Sequence, residues 1–298
     1  MCGLLLINKP SGITSFGAVA KIRKLTGEKH IGHTGTLDPM ATGVLPVLLG
    51  RATKLSDYVL AADKSYTAKI KLGIKTDTLD ITGKVLCEST VSVTDNQIDN
   101  ALSQFEGEIS QVPPMFSAIK KDGVRLYSLA RQGKAAEIKP RKITIFFLRR
   151  ESSIDKNNEF IISCKVSKGT YIRALARDIG ESLGTSAVLT ELQRTSTAGF
   201  DIKDCIELDK LNKENINDYI LPASRAVQSF SNVSVTKAQA FRFSNGGSLD
   251  INRLPLKNYK DGELVKIFFD GEFLGLAKAD NKLSTLRFMC IINPIGKV

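Results

Sequence analysis

Several stretches of the chain alternate between apolar and polar residues, as half-buried β-strands do. Residues 65–72 would place four apolar side chains on one face of a strand: Tyr66, Ala68, Ile70 and Leu72. Residues 143–148 and 160–167 are rich in the β-branched and aromatic residues that strands favour. The pattern therefore predicts strands in all three stretches.

A helical spacing follows the strand predicted at residues 160–167. After a turn at Lys168 and Gly169, apolar residues recur every three or four positions, at Ile172, Leu175, Ala176, Ile179 and Leu183. Gly184 then supplies the expected helix stop. A helix placed between strands indicates a mixed α/β architecture.

Beyond about residue 230 the chain changes to short β-runs that are separated by turn signals. Asp270 and Gly271 lie between residues 264–269 and 272–277, which predicts a tight hairpin. Because 298 residues exceed the usual size of one domain, we expect two. They would span residues 1–230 and, as a small β-rich domain, residues 231–298.

The most basic part of the chain lies at about residues 111–142, and we call it the basic insertion. Eight lysines and arginines stand there against two acidic residues: Lys120, Lys121, Arg125, Arg131, Lys134, Lys139, Arg141 and Lys142. Two prolines open it, and a short helix is expected from near Val124 to Gly133. It could project from a sheet and wrap a phosphate backbone, or form a solvated basic surface without a ligand.

Composition narrows the class of protein further. A net charge of +11 and a pI near 9.4 favour a polyanionic partner such as nucleic acid. No apolar run approaches the ~18 residues of a membrane span, and no secretory signal is visible. The five cysteines are scattered and two histidines are too few for a zinc site, so we expect free thiols, no metal and a cytoplasmic location.

One carboxylate stands in a segment that cannot form a long helix. Residues 32–46 read GHTGTLDPMATGVLP, and their three glycines and two prolines surround Asp38. Pro39 disfavours the α conformation at Asp38, so the carboxylate would be presented on a kinked loop, as a nucleophile or general base. Alternatively, Asp38 caps a short helix that has Pro39 at its first position.

The segment GHTGTLDPMATGVLP resembles the signature of the TruB family of tRNA pseudouridine-55 synthases. Four further segments are similar to the family's other motifs, in the same order: NKPSGITS (8–15), DKSYTAKIKLGIKTDTLDITG (63–83), KGTYIRALARDIG (168–180) and AVLTELQRTSTAGF (187–200). Two positions depart from the family's pattern: Met40 stands where leucine is commoner, and Gln193 stands where arginine is usual. The resemblance is close over about residues 4–200 and loose beyond them.

The resemblance implies both a fold and an activity. The fold would be α+β, a pseudouridine synthase catalytic fold whose largely antiparallel mixed sheet is flanked by helices, with a PUA-like RNA-binding domain at residues 231–298. The basic insertion would be the RNA-gripping thumb. The activity would be isomerisation of uridine 55 in the T-arm loop of tRNA, without a cofactor since no redox step occurs.

The resemblance also assigns residue roles. Asp38 would be the catalytic carboxylate, Arg173 its active-site arginine, and Tyr66 the active-site tyrosine that stacks on uracil and helps to accept the C5 proton. Arg173 lies in the first helical turn, where the dipole disfavours a cation, so Asp38 is its expected partner. A solvated Arg173 and a purely structural Tyr66 are the alternatives.

Substrate contacts are expected from a second set of residues. His33 would wedge into the RNA, or serve only as a structural histidine, and Leu192 would form a wall of the uracil pocket. The full expected set is His33, Leu192, Lys9, Tyr171, Lys120, Arg125, Arg131 and Arg141, with Lys9 and Pro10 forming the floor below Tyr66.

The expected partner is the T-arm stem-loop of tRNA, whose target base must be flipped out of its stack. We expect a monomer without an obligatory protein partner. Two other functions fit the same scaffold. One is a non-catalytic RNA-binding protein or tRNA folding chaperone, and the other is a synthase of ribonucleoprotein type that needs guide RNA and partner proteins.

Overall fold

The structure is a computed structural model that describes residues 1–117, 120–121, 124–125, 127, 132, 138–255 and 258–296, with backbone alone at 120–121 and 124–125. Its strands are β1 (Gly3–Lys9), β2 (Ile31–His33), β3 (Thr42–Leu49), β4 (Lys64–Leu72), β5 (Ile74–Thr76), β6 (Val85–Glu88), β7 (Gly107–Gln111), β8 (Lys120–Lys121), β9 (Val124–Arg125), β10 (Arg141–Arg150), β11 (Glu159–Val166), β12 (Ala187–Thr197), β13 (Phe200–Asp201), β14 (Ile206–Glu207), β15 (Ile220–Leu221), β16 (Ser231–Ser234), β17 (Leu249–Asp250), β18 (Leu264–Phe269), β19 (Glu272–Asp280) and β20 (Thr285–Ile291).

The α-helices of the same residues are α1 (Ser15–Thr26), α2 (Ser56–Leu60), α3 (Asp95–Ser103), α4 (Ile172–Ser182) and α5 (Lys237–Ser244). Short 3-10 helices lie at Gly50–Leu55, Ile202–Asp204, Leu208–Lys210, Ile216–Tyr219, Ala223–Val227 and Ile251–Arg253. No helix in the described ranges is long and apolar enough to cross a membrane.

A large mixed sheet forms the body of the protein. Its strand order is β14-β1-β3-β12-β4-β11-β10-β7, with β15, β2 and β13 attached to β1, β3 and β12. Only the β1–β14 and β3–β12 pairs are parallel among its described pairs. The predicted α+β fold with a largely antiparallel mixed sheet is therefore confirmed.

The alternation seen in the sequence places the strand side chains as predicted. Along β4 every second residue is buried, beginning at Lys64 and including Tyr66. The predicted strand at residues 160–167 corresponds to β11, and the one at 143–148 lies inside β10. The predicted helix is α4, whose apolar face packs against β12 and whose following Gly184 has φ +72°.

The basic insertion connects two strands that are neighbours in the sheet. β7 and β10 are antiparallel, with Gln111 directly opposite Arg141, so the chain between them leaves and re-enters the sheet at one point. Within it β8 and β9 form a small hairpin. Val124 is thus in a strand, Tyr127 three residues later is helical as the expected short helix requires, and Gly133 lies outside the described residues.

A second sheet of order β16-β18-β19-β20-β17 forms the C-terminal part of the chain. The predicted hairpin is present between β18 and β19, and both of its turn residues, Asp270 and Gly271, have positive φ as a tight hairpin turn requires. Phe273, Leu276 and Ile292 of this region pack against β1 and β3 in a shared hydrophobic cluster. The C-terminal sheet therefore rests directly on the large sheet.

Gly43 allows β3 to approach β12 closely beside the candidate site. Its φ is +105°, and a Cβ atom there would lie 2.2 Å from the backbone oxygen of Arg194. We expect Gly43→Ala to lower the free energy of unfolding by about 3 kcal/mol or more, because strand separation adds to left-handed strain. Gly169→Ala is the matched control, since φ is +83° but nothing lies within 4 Å of its Cβ, and should cost about 1 kcal/mol. Urea denaturation measures both, and equal losses would contradict the close approach.

Candidate active site

Asp38 lies on an irregular loop between β2 and β3. The Ala41 amide donates to the Asp38 carbonyl at 3.0 Å, which closes a turn through Pro39 and Met40 and leads directly into β3. No helix begins there, so the interpretation of Asp38 as a helix cap is wrong. The side chain of Asp38 is 32% exposed, which leaves one side of the carboxylate open to a substrate.

The loop is fixed from below through the Pro39 carbonyl. This oxygen accepts the Gly12 amide at 2.9 Å and the Lys9 ammonium at 3.2 Å. Lys9 is fully buried and also donates to the Pro10 and Ile13 carbonyls, at 2.8 and 2.7 Å. With all three ammonium protons on carbonyls, Lys9 supports the floor of the site; its contact with substrate stays a prediction. Burial lowers the pKa of Lys9 to about 8, against the opposing charge of Asp38.

Arg173, in the first turn of α4, holds the Asp38 carboxylate with two parallel hydrogen bonds. Nε donates to Oδ2 at 2.8 Å and Nη2 to Oδ1 at 3.0 Å, so the predicted partnership between the two residues is confirmed. The guanidinium is only 6% exposed. A bidentate pair of this kind fixes the orientation of the carboxylate.

The remaining donors of Arg173 reach two further segments of the chain. Nη1 donates to the Thr78 carbonyl at 2.8 Å, and Nη2 donates to the Phe116 carbonyl at the start of the basic insertion at 2.9 Å. Asp80 Oδ2 lies 3.7 Å from Nη1, so the guanidinium stands between two carboxylates.

Asp80 is a site residue that sequence reasoning missed. It is 5% exposed, and its Oδ1 accepts hydrogen bonds from the Thr78 hydroxyl at 2.8 Å and the Thr82 amide at 3.0 Å. The available signal was the run TDTLDITG, in which an acidic residue is flanked by threonines able to hold it in a turn.

Tyr66 lies in the centre of the sheet, directly opposite Arg194 of β12 on one side and Cys164 of β11 on the other. Burial raises the pKa of Tyr66, and the positive charge of the neighbouring Arg194 opposes this only in part. Tyr66 is therefore a neutral phenol at neutral pH.

Arg194 is the second residue that sequence reasoning missed. It is 1% exposed, and it donates from Nε to the Val44 carbonyl at 2.7 Å and from Nη2 to the Gly35 carbonyl at 3.0 Å. Its position two residues after Leu192 on one strand places both side chains on the same face, and this spacing was the available signal. Leu192 is 7% exposed beside this pair.

The other predicted contact residues lie around these groups. His33 ends β2 and is half-buried, and burial together with the charge of Arg194 lowers its pKa, so the ring is neutral. Within the described residues its Nδ1 has no hydrogen-bond partner. Tyr171 precedes α4, where its amide donates to Gln111 Oε1 at 2.9 Å and its carbonyl accepts Gln111 Nε2 at 3.2 Å.

The basic insertion contributes less to the described site. Arg141 is exposed at its base. The backbones of Lys120 and Arg125 form its hairpin, their side chains lie outside the description, and Arg131 lies wholly outside the described residues. Across the described ranges, no three His, Cys, Asp or Glu side chains converge as metal ligands would.

Two sequence models of one family match the chain. The TruB family pseudouridylate synthase N-terminal domain matches residues 23–172, and the tRNA pseudouridylate synthase B C-terminal domain matches residues 173–228. A protein named tRNA pseudouridine synthase B from Clostridium tetani is 42% identical over 279 residues, which cover 93% of this chain and 96% of the relative. A protein of the same name from Azoarcus sp. is 43% identical over 280 residues, covering 93% and 90%.

Two solved structures share the fold with a TM-score of 0.76. One is titled as the structure of an H/ACA RNP bound to a substrate RNA containing 2'-deoxyuridine. It is 25% identical in sequence, and the match covers 98% of this chain and 85% of that chain. The other is titled as a Cbf5-Nop10-Gar1 complex. It is 26% identical in sequence, and the match again covers 98% of this chain and 85% of that chain.

Lys64 gives the site region a pH-dependent stability. Its ammonium is 9% exposed and donates to the Leu60 and Ala62 carbonyls, and burial, aided by the charge of Arg194, lowers its pKa from 10.5 to about 8. Between these two values the unfolded chain binds more protons than the folded protein, so stability increases with pH. From about pH 7 to 9.5, the wild type should gain about 2 kcal/mol relative to Lys64→Met.

Urea midpoints at several pH values measure this difference. Lys165→Met removes an exposed lysine of the adjacent strand β11 and separates the effect of burial from the loss of one surface charge. A constant difference between wild type and Lys64→Met would show that Lys64 keeps its ordinary pKa in the folded protein.

Proposed function

The chain belongs to the TruB family of pseudouridine synthases, and from this premise we propose that it isomerises uridine 55 in the T-arm loop of tRNA to pseudouridine. The observation that carries the proposal is the Asp38 carboxylate, held in two parallel hydrogen bonds by Arg173 and still one-third exposed. The reaction breaks the N1–C1′ bond, turns the base and joins C5 to C1′. It requires one oriented anion near the sugar and a pocket that retains the free base.

Asp38 is the catalytic carboxylate of this proposal. Arg173 fixes both of its oxygens, so its orientation is set before the substrate arrives. Asp80 acts behind Arg173 as a second anion, and it limits the freedom of the guanidinium. Three roles are open to Asp38 in this proposal: attack on C6 of the base, attack on C1′ of the sugar, or removal of a sugar proton.

Tyr66 and Leu192 form the pocket for the detached uracil. The phenol ring stacks on the base, and Leu192, which lies on the same face of the neighbouring strand, bounds it. The Tyr66 hydroxyl is the group placed to exchange a proton with the base. Tyr171 closes the pocket from the start of α4.

When the target uridine is flipped out of the RNA stack, a protein group has to fill the gap that the base leaves in the stack. His33 is neutral, stands at the end of β2 close before the catalytic loop, and has an unused ring nitrogen. We assign it to this wedge position. Lys9 contributes through the floor of the loop and not through a phosphate contact, because its donors are already used.

Binding of the tRNA relies on positive charge. The basic insertion, through Lys120, Arg125, Arg131 and Arg141, grips the T-arm backbone, and the net charge of +11 supports association with the polyanion. Residues 231–298 serve as a PUA-like RNA-binding domain behind a catalytic domain of residues 1–230. No cofactor enters, because the substrate and product are isomers at the same oxidation level.

We assign the protein to the cytoplasm and to a monomeric state. One structural neighbour's title names the partners Nop10 and Gar1, which makes a ribonucleoprotein-type synthase the relevant alternative. The two differ in what the pure protein does alone. Modification of a bare tRNA transcript supports the stand-alone enzyme, and dependence on guide RNA or added proteins supports the alternative.

We expect Asp38→Asn to lower the rate of pseudouridine formation by about a thousandfold or more, because the amide is neutral and cannot act as nucleophile or base. The measurement follows release of label from C5-tritiated uridine in an unmodified tRNA transcript under single-turnover conditions. Asp209→Asn, in an exposed carboxylate 78% accessible, is the matched control and should retain full activity. Label release by Asp38→Asn at the wild-type rate would show that Asp38 is not the catalytic residue. If every protein, wild type included, binds tRNA but releases no label, the chaperone function is favoured.

Arg141→Gln should weaken tRNA binding severalfold and reduce the slope of log Kd against log salt by about 1, as loss of one phosphate contact does. Lys156→Gln, in the exposed turn beyond the opposite end of β10, is the control and should change neither value. Filter binding at several salt concentrations tests both. An unchanged slope in Arg141→Gln would place the base of the basic insertion off the RNA.

A further inference from the structure

Helix α4 begins without a cap supplied by its own sequence. Its N-cap residue is Tyr171, whose side chain makes no capping hydrogen bond. Its third residue is Ala174, which has no polar group that could reach back to the N-cap amide. The first turn contains no acidic residue, although it carries the cation of Arg173. The local sequence therefore does little to fix the position at which α4 starts.

Two other helices of the protein are capped by their own residues. α3 and α5 each begin with a capping box, in which the side chain of the third helical residue accepts the N-cap amide. Oε1 of Gln97 accepts the Thr94 amide at 2.8 Å, and Oε1 of Gln239 accepts the Thr236 amide at 2.8 Å. The start of each of these helices is thus determined locally.

In α4 the equivalent glutamine comes from a distant part of the chain. Oε1 of Gln111 accepts the Tyr171 amide at 2.9 Å, as the glutamine of a capping box does, and Nε2 donates to the Tyr171 carbonyl at 3.2 Å. Gln111 is 1% exposed and lies 60 positions before Tyr171. The start of α4 is therefore held by a residue of β7 and not by the helix itself.

Gln111 is also the residue at which the basic insertion leaves the large sheet. It ends β7 and stands directly opposite Arg141, the first residue of β10, where the chain returns. Phe116, a little further along, accepts a hydrogen bond from Arg173 at 2.9 Å. We call residues 111–116 together with Arg141 the root of the insertion. A displacement of this root pulls on the first turn of α4.

The first turn of α4 controls the orientation of the Asp38 carboxylate. Arg173 is the second residue of the helix, and its guanidinium reaches both oxygens of Asp38, at 2.8 and 3.0 Å. Such a two-point contact forms only within a narrow range of positions. If the first turn shifts or frays, the guanidinium moves and the carboxylate moves with it.

We propose that Gln111 is a positioning residue that makes the alignment of Asp38 depend on the position of the root. The inference rests on the proposed function and deepens it, because RNA bound at Arg141 would set that position. A displaced root withdraws Gln111 from the Tyr171 peptide group, and α4 has no residue of its own to replace it. An RNA that binds the insertion in a wrong register is then bound but modified slowly.

The first experiment needs no activity and measures amide hydrogen exchange by NMR in the protein without RNA. Gln111→Met keeps the length of the side chain and removes both hydrogen bonds, so exchange of the Tyr171 amide should become at least about tenfold faster. Gln97→Met removes the equivalent bond in α3 and is the matched control, with faster exchange at Thr94 alone. Unchanged protection of Tyr171 in Gln111→Met would overturn the proposal.

The second experiment compares single-turnover rates at saturating tRNA. Gln111→Met should be about thirtyfold slower than wild type with less than a twofold change in Kd, whereas Gln97→Met should keep the full rate. A purely structural role predicts a lower urea midpoint with the full rate in the folded protein. A simple RNA contact predicts a weaker Kd with the full rate at saturation. Either result would overturn the proposal.

A milder variant covers the case in which Gln111→Met does not fold. Gln111→Asn keeps a polar amide but is one methylene too short to reach Tyr171. It should show the same two effects, faster exchange at Tyr171 and a lower rate at saturation, and their absence in a folded Gln111→Asn would contradict the proposed role equally.

The third experiment tests whether the root acts through Gln111. Arg141→Gln should slow the wild type about fivefold at saturating tRNA, but slow Gln111→Met less than about twofold, because the connection is already interrupted there. Equal losses in the two backgrounds would show that Arg141 and Gln111 act independently, which contradicts the proposal.

The proposed function and this inference fail in different ways. If wild-type protein forms no pseudouridine in tRNA, the proposed function is wrong, and hydrogen exchange still decides whether Gln111 holds the start of α4. If wild type is active and Gln111→Met reaches the same rate at saturation, only the positioning role of Gln111 is wrong.

Discussion

The site depends on the need to satisfy one buried guanidinium. Arg173 is held by the Asp38 carboxylate, the Thr78 carbonyl and the Phe116 carbonyl, so three distant segments must meet at the first turn of α4. Removing one partner of a buried ion pair leaves an uncompensated charge, which typically costs about 3–5 kcal/mol. The Asp38 loop, the Asp80 turn and the root of the basic insertion are thereby positioned together, and the stability of the fold and the orientation of the Asp38 carboxylate rest on the same contacts.

A second buried arginine serves the opposite electrostatic purpose. Arg173 lies between two carboxylates and orients one of them, whereas the hydrogen-bond partners of Arg194 among the described residues are two backbone carbonyls, so its charge leaves a positive field in the site. Burial, aided by that field, lowers the pKa of His33, and the same charge opposes the rise that burial causes in the pKa of Tyr66. Under the proposed function, the site offers a fixed negative group to the sugar and a positive environment to the base.

The sequence pattern was sufficient to predict those parts of the structure that follow the regular spacing of apolar residues in strands and helices. The alternation along β4 correctly placed Tyr66 inside, and the unfavourable helix position of Arg173 correctly predicted an anionic partner. The loop at Asp38 was ambiguous because Asp-Pro suits a helix start equally well. The conformation of the loop is decided by two contacts to the Pro39 carbonyl, from Lys9 and Gly12, which lie 30 and 27 positions away in sequence. Contacts between positions so far apart cannot be recognised in a local sequence pattern. Asp80 and Arg194 were missed because buried polar residues interrupt the apolar periodicity that locates a core.

The basic insertion is anchored to the catalytic helix at more than one point. Gln111 brackets the Tyr171 backbone, Phe116 accepts from Arg173, and the Arg177 guanidinium donates to the Val112 carbonyl at 3.1 Å. All four hydrogen bonds involve either the first two turns of α4 or the residue that precedes it. A force that moves the root of the insertion must therefore strain the helix that orients Asp38. If the insertion grips RNA as proposed, contact with RNA and alignment of the carboxylate share one element, α4, so the grip and the geometry of the site are mechanically linked.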